Sequence, residues 1–319
     1  VRPDTHWGAG APIGFTMPLG DRIVPNIVGV DVGCGMAAIN LGDVLPLSDE
    51  ERERRVREAV PMGQNVHDYD DSVHLVDEFP FERANRVFEQ FNEAFEDRFG
   101  TEIDPIGFDF DGYDGDYFER LCERVLADQR QSMGYVIRGV GTLGGGNHFV
   151  EFARAQTPGD YWLVIHSGSR YLGKSVAEYW QSKATERRNV ATIRESLPER
   201  YHDYLKFDPE EVDEQDLYAW VTGGKGESHL RKDAIRADFD GGEIEDVFDR
   251  LGDLRPDADD RNTDLDYLEG REAHGYYVDM LFAQQYARWN REVMADRICE
   301  ALGVDPDERF QSIHNYVDF

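Results

Sequence analysis

Apolar residues recur three and four positions apart between residues 83 and 99, where Val87, Phe88, Phe91, Phe95 and Phe99 share one side and Gly100 follows as a stop. That spacing predicts an amphipathic helix. Upstream, Ser48 with Glu51 reads as a capping box and predicts a charged helix to about Val60. A third helix is predicted over roughly 115–132. The period then shortens. Tyr135–Val140, Asn147–Phe152 and Tyr161–Ile165 are brief apolar or alternating runs bounded by turn residues, and each predicts a strand. Helical patterns return near Tyr171 and again from Leu265 to about Leu302. Residues 1–43, rich in glycine and proline, read as strands and tight loops. The expected fold class is α+β.

Residues from about 224 to 264 are polar and acidic, and read as an exposed acidic insertion within a single domain over 1–319. The chain opens on Val1 and closes on Phe319 without a C-cap, so cropping is expected at the C-terminus and also at the N-terminus. No apolar run approaches a membrane span, so no membrane partner is expected. Three scattered cysteines, Cys34, Cys122 and Cys299, make no disulfide framework and suit a reducing cytoplasm.

Charge changes the picture more than composition does. The formal net charge is −31, with 29 Arg, 5 Lys and 65 acidic residues. A solvated acidic surface adapted to high salt is the expected reading, because salt shortens the range of self-repulsion, and the alternative is a protein that binds basic partners. Nucleic-acid-binding proteins are usually basic, so any such reading needs a local basic track, here built from Arg.

Candidate chemistry begins at Asp31-Val32-Gly33-Cys34-Gly35-Met36. A carboxylate and a thiol stand three residues apart with glycine on both sides of the thiol, allowing tight turns and close approach. Alone, Cys34 reads equally as a small buried hydrophobe or as a metal ligand. Three histidines sit in unusual settings. His148 follows Gly144-Gly145-Gly146-Asn147, His166 ends an apolar strand before Ser167-Gly168-Ser169-Arg170, and His314 precedes Asn315. One carboxylate, one thiolate and three imidazoles suffice for two neighbouring ions if the thiolate bridges them, and they suit Zn, Mn, Fe or Co better than Mg or Ca. The triple glycine can present N–H groups to phosphate oxygens, or serve only as a flexible turn. Arg170 can fork onto phosphate, or form a surface ion pair. If residues 147–152 are extended, His148, Val150 and Phe152 face one way and Asn147, Phe149 and Glu151 the other. His6 either lines the site or holds its turn. His67 and His74 lie in an acidic loop and carry less signal. There is no Walker Gly-Lys-Ser/Thr, no Gly-x-Ser-x-Gly elbow and no CxxC pair.

Taken in order, these segments resemble the RtcB family of RNA-splicing ligases. The resemblance is carried by Pro3-Asp4-Thr5-His6-Trp7-Gly8, Ile23-Val24-Pro25, Val28 to Met36, Gly141 to Glu151, His166 to Arg170, Ala283 to Ala287 with Asn290-Arg291, and His314-Asn315. It runs from end to end and is weak over 171–264. It implies an RtcB-like fold with a central mixed β core flanked by helices. It also implies a ligase that joins RNA ends bearing a 2′,3′-cyclic phosphate or 3′-phosphate to 5′-hydroxyl ends, such as tRNA halves or broken RNA. The cofactors implied are GTP and two Mn²⁺ ions, and the reaction passes through a guanylylated histidine.

By position, Cys34 resembles the ligand shared by both ions. Asp31 and His148 would complete one metal site, and His166 and His314 the other. Asn147 and Asn315 resemble the residues holding nucleotide phosphate. Glu151 resembles the guanine-reading carboxylate, with Phe149 beside it, and Arg170 the arginine of the RNA-phosphate steps. Thiolate is softer than manganese prefers, so zinc competes on chemical grounds. The family's glycine-rich loop with the nucleophilic histidine has no counterpart in these 319 residues. The alternative is a diverged dinuclear metal protein without ligase activity, acting as a phosphoesterase or a nucleotide-binding partner. An activating protein partner is left open.

Overall fold

The protein is described here from a computed structural model. It describes residues 11, 18, 20–104, 110–127, 129–156, 159–211, 217, 229–252, 263–306 and 308–317. In chain order the helices and strands are β1 (Arg22–Ile23), α1 (Pro25–Val28), β2 (Gly35–Gly42), α2 (Asp49–Ala59), α3 (Leu75–Glu78), α4 (Phe81–Phe99), α5 (Gly115–Val125), α6 (Met133–Arg138), β3 (Phe149–Arg154), β4 (Tyr161–Ser167), α7 (Arg170–Ser196), α8 (Lys232–Asp238), α9 (Gly242–Gly252), β5 (Leu268–Glu269), α10 (Gly270–Leu302) and β6 (Glu308–Ile313). This mixture is α+β, as the hydrophobic pattern predicted.

The chain divides into two compact units, one of residues 1–180 with 269–319 and one of residues 181–268. The first contains a four-stranded sheet in the order β3-β4-β2-β6. All three pairings are antiparallel, so the sheet is not mixed in strand direction. Strand alternation sends Ala37, Ile39, Leu163 and Ile165 into a core with Val56 of α2 and with Met294, Ala295, Ile298 and Leu302 of α10. Each of the Val, Ile, Leu and Met side chains contributes about 1.5–3 kcal/mol when fully buried. Every residue from Gly275 to Ala287 in α10 is buried. A helix apolar nearly all round belongs inside a domain.

The second unit has a core of its own, in which Val190, Ile193, Leu197 and Leu205 meet Ile235, Val247 and Leu251. Part of the acidic 224–264 stretch therefore carries apolar side chains into that core.

Local signals explain most boundaries. Ser48 Oγ accepts from Glu51 N and starts α2, but the Glu51 carboxylate pairs with Arg54 and Arg55 instead of closing the capping box. Gly100, at φ 72°, ends α4 in the left-handed conformation. Phe91 and Phe95 are the buried phenylalanines of α4, while Val87, Phe88 and Phe99 are half-buried.

Three expectations need correction. The third helix stops at Val125. Tyr135–Val140 is not a strand, because Met133–Arg138 is helical. A short apolar run does not distinguish the two states. Here Ser132 O accepts from Tyr135 N and Val136 N, and Tyr286 Oη donates to Val136 O. The strand expected from Asn147 begins at Phe149, because a turn precedes it. His6 and the rest of Pro3–Gly8 lie outside the described residues. Among the described residues no helix is long and apolar enough to cross a membrane.

Candidate metal centre

The site forms where β2 begins, β4 and β6 end, and the Gly141–His148 loop enters β3. Strand register places Met36 opposite His166 and Gly35 opposite both Ser167 and Ile313. The glycines around Cys34 are there because neighbours are too close for a side chain. A Cβ on Gly33, which has φ +73°, would lie 2.8 Å from Gln284 Cα of α10, and one on Gly35 would overlap Ser312 O. Backbone bonds close the arrangement: Gly33 N donates to Asn315 O at 2.8 Å, and His314 N to Cys34 O at 2.9 Å.

Five sequence-predicted ligands converge. Cys34 Sγ lies 3.2 Å from His166 Nε2 and 3.5 Å from His148 Nε2. His166 Nε2 lies 3.4 Å from His314 Nε2, and His148 Nε2 lies 2.8 Å from Asp31 Oδ2. They form two groups, Asp31-Cys34-His148 and Cys34-His166-His314, each with its ligand atoms within 4.8 Å of one another. Cys34 belongs to both.

The imidazole orientations suit metal binding. His148 Nδ1 faces Leu143 O at 3.0 Å, and His166 Nδ1 faces Asn147 O at 3.1 Å. A proton on each Nδ1 donates to that carbonyl and leaves Nε2 as the ligand atom. Asp31 Oδ2 and His148 Nε2 then need a positive charge between them, from a proton or a metal ion. The donor set of imidazoles, thiolate and carboxylate fits a divalent transition ion.

Burial raises the Asp31 carboxyl, but the His148 hydrogen bond and charge, helped by Cys34 and Arg170, outweigh it and leave the group below its ordinary value. Burial and the Asp31 carboxylate push the Cys34 thiol far up. Burial and the charges of His314 and His148 lower His166. A bound cation reverses this penalty on the thiolate.

The remaining predicted residues surround the cluster. Arg170, at φ 55°, places its guanidinium against Gly144, with Nη1 3.4 Å from His148 Nδ1. Phe149 and Glu151 are exposed on one face of β3, and the Phe149 ring meets His166 edge-on at 5.4 Å. Asn147 is exposed beside them. Asn315 Nδ2 donates to Asp31 O at 3.1 Å, tying the β6 exit to the metal loop.

Sequence reasoning missed the support. Asn290, wholly buried, accepts from Gly141 N and Thr142 N and donates to Thr142 O and Gly168 O. Arg291 is equally buried. An adjacent polar pair set among the apolar positions Ala287, Trp289 and Met294 was the available signal. His67, read as part of an acidic loop, is buried with Nε2 3.1 Å from Gly141 O.

The sequence model of the family described as "tRNA-splicing ligase RtcB" matches residues 1–218. The chain is similar to the "RNA-splicing ligase RtcB" of Escherichia coli (strain K12), with 27% identity over 220 residues, covering 65% of this chain and 47% of that protein. It is also similar to the "tRNA-splicing ligase RtcB" of Nanoarchaeum equitans, with 28% identity over 207 residues, covering 56% of this chain and 39% of that protein. The chain spans about half the length, or less, of the curated relatives it matches. Because the match extends over more than half of its residues, including the loops that carry Asp31, Cys34, His148 and His166, the chain belongs to the RtcB family.

Proposed function

We propose that this chain carries the metal centre of a GTP- and Mn²⁺-dependent RNA ligase. The reaction joins RNA ends bearing a 2′,3′-cyclic phosphate or 3′-phosphate to 5′-hydroxyl ends, in tRNA splicing or RNA repair. It proceeds through a guanylylated histidine that is not among the nine histidines here. On this reading residues 1–319 act as one catalytic domain in the cytoplasm, where the three free cysteines stay reduced.

The single observation that carries the reading is the position of Cys34 Sγ, within 3.5 Å of two imidazole Nε2 atoms and common to two ligand groups. Bound there, two adjacent divalent ions would stabilise charge on phosphate oxygens and activate a nucleophile. Asp31, Cys34, His148, His166 and His314 hold them. Phe149 offers an exposed ring beside His166, on the same strand face as the Glu151 carboxylate, which suits a purine base bearing N–H donors. Asn147 and Asn315 orient nucleotide phosphate. The Arg170 guanidinium, held in a left-handed backbone that costs on the order of 1 kcal/mol, receives the RNA phosphate.

The test is incubation of the full-length protein with labelled GTP and Mn²⁺. An acid-labile protein–guanylate adduct, lost in Cys34→Ala, is the expected result. An adduct that forms equally in Cys34→Ala overturns the role of the thiolate. Absence of any adduct in the wild type favours the diverged, non-ligating reading.

A further inference from the structure

The ligand loops come from distant parts of the chain, and one side chain of α10 touches three of them. Arg291 Nη1 donates to Gly33 O at 2.9 Å and to Ser167 O at 2.8 Å. Its Nε donates to Gln311 Oε1 at 2.8 Å. Gly33 adjoins Cys34, Ser167 adjoins His166, and Gln311 stands three residues before His314 on β6. The side chain is fully buried, and Nη2 has no hydrogen-bond partner among the described residues.

Such a residue is costly. A buried guanidinium normally sits against a carboxylate, because its desolvation is large. The three acceptors that Arg291 engages here are neutral: two backbone carbonyls and an amide oxygen. Either carbonyl alone could be satisfied by a smaller neutral donor. A rigid planar fork holds three acceptors, from the turn before β2, from β4 and from β6, in one fixed geometry.

We propose that Arg291 is the positioning residue of the metal centre, setting the spacing of Cys34, His166 and His314 through Gly33, Ser167 and Gln311. The inference rests on the reading of these residues as metal ligands. Arg291 touches neither ion nor substrate and acts through the backbone of the ligand loops. Asn290 complements it from the neighbouring position, pinning Gly141, Thr142 and Gly168.

The experiment is Co²⁺ titration of the full-length protein, reading the thiolate-to-cobalt absorption band and the affinity. Arg291→Met is expected to weaken Co²⁺ binding about 10–100-fold and to alter the band, as loss of a supporting contact around metal ligands does. Arg291→Lys keeps the charge but not the planar fork, so it is expected to recover only part of that loss and to leave the band altered; full recovery in Arg291→Lys overturns the positioning role. Equal affinity and an unchanged band in Arg291→Met overturn the proposal. If Arg291→Met does not fold without metal, Gln311→Leu carries the test, and unchanged Co²⁺ affinity there overturns it. A band that persists in Cys34→Ala defeats the ligand assignment on which the proposal rests, whereas failure of the positioning role alone is distinguished by an unchanged band and affinity in Arg291→Met.

Discussion

Gly168 stands directly against the carboxylate of Asp31, so that a methyl group on Gly168 would overlap Asp31 Oδ1. The turn after β4 can pass the first metal loop only because position 168 lacks a side chain. Gly168→Ala is expected to push Asp31 out of place, at a cost of about 1–3 kcal/mol in stability. The Asp31-Cys34-His148 group loses its carboxylate, while Cys34-His166-His314 stays intact. Metal analysis after dialysis against Mn²⁺ should show about half the wild-type content. Full wild-type content would contradict the assignment of Asp31.

His67 makes stability depend on pH. Burial, then the Arg297 charge, lowers its pKa below the ordinary 6.5. Between the folded and unfolded values the unfolded chain binds more protons, so this contribution is complete above about pH 6.5 and is lost as pH falls. His274 is shifted in the same direction by burial. Thermal unfolding of the chelated protein should show Tm falling from pH 7.5 toward 5.5. His67→Gln should flatten that slope without abolishing it. An undiminished slope in the variant rules His67 out as a source.

Asp279 anchors the middle of α10. Its carboxylate accepts from Arg124 Nη2 at 2.7 and 2.9 Å, from Tyr117 Oη at 2.8 Å and from Trp180 Nε1 at 2.8 Å. Removing it strands the buried Tyr117 Oη and Trp180 Nε1 and the part-buried Arg124 guanidinium. Asp279→Ala is expected to cost about 3–5 kcal/mol, toward the lower end because the Arg124 side chain keeps 25% exposure. Urea unfolding followed by tryptophan fluorescence measures this. A loss under about 1 kcal/mol would show that the network adds little.

Salt should stabilise the protein. The net charge of −31 repels itself, whereas exposed pairs such as Arg54–Glu58 and Arg57–Glu53 are screened by solvent and contribute little. Shortening the Debye length from about 10 Å to about 3 Å, between 0.1 and 1 M salt, relieves the first effect more than it weakens the second. Tm should rise over that range in KCl. A constant or falling Tm would show that self-repulsion of the acidic surface does not govern stability in this range.

Much of the site could be read from local chemistry. Cys34, His148, His166 and His314 each sit beside glycine, a strand end or an amide residue, Asp31 stands three residues before Cys34, and the structure brings all five together. The helix over 81–99 was legible from its phenylalanine spacing and Gly100. What escaped depends on contacts between distant residues. The residue types of Met133–Arg138 do not distinguish its helical turn from a strand; Val136 O accepts from Gly139 N nearby and from Tyr286 Oη, 150 positions away. Asn290 and Arg291 could be matched to a family pattern, but their task shows only when the loops they hold are seen around them. His67 looked solvated because its neighbours in sequence are acidic, whereas its neighbours in space are Gly141 and Arg297.

Cys34 belongs to both ligand groups, and this has a thermodynamic consequence. Two ions held by these groups would share one sulfur and would not load independently. Each would withdraw electron density that the other would use, yet each would also keep the thiolate deprotonated for its neighbour. Whatever factor the first ion imposed on the affinity of the second, the second would impose on the first. The balance of those two effects would then decide whether a half-loaded form accumulates as metal becomes scarce.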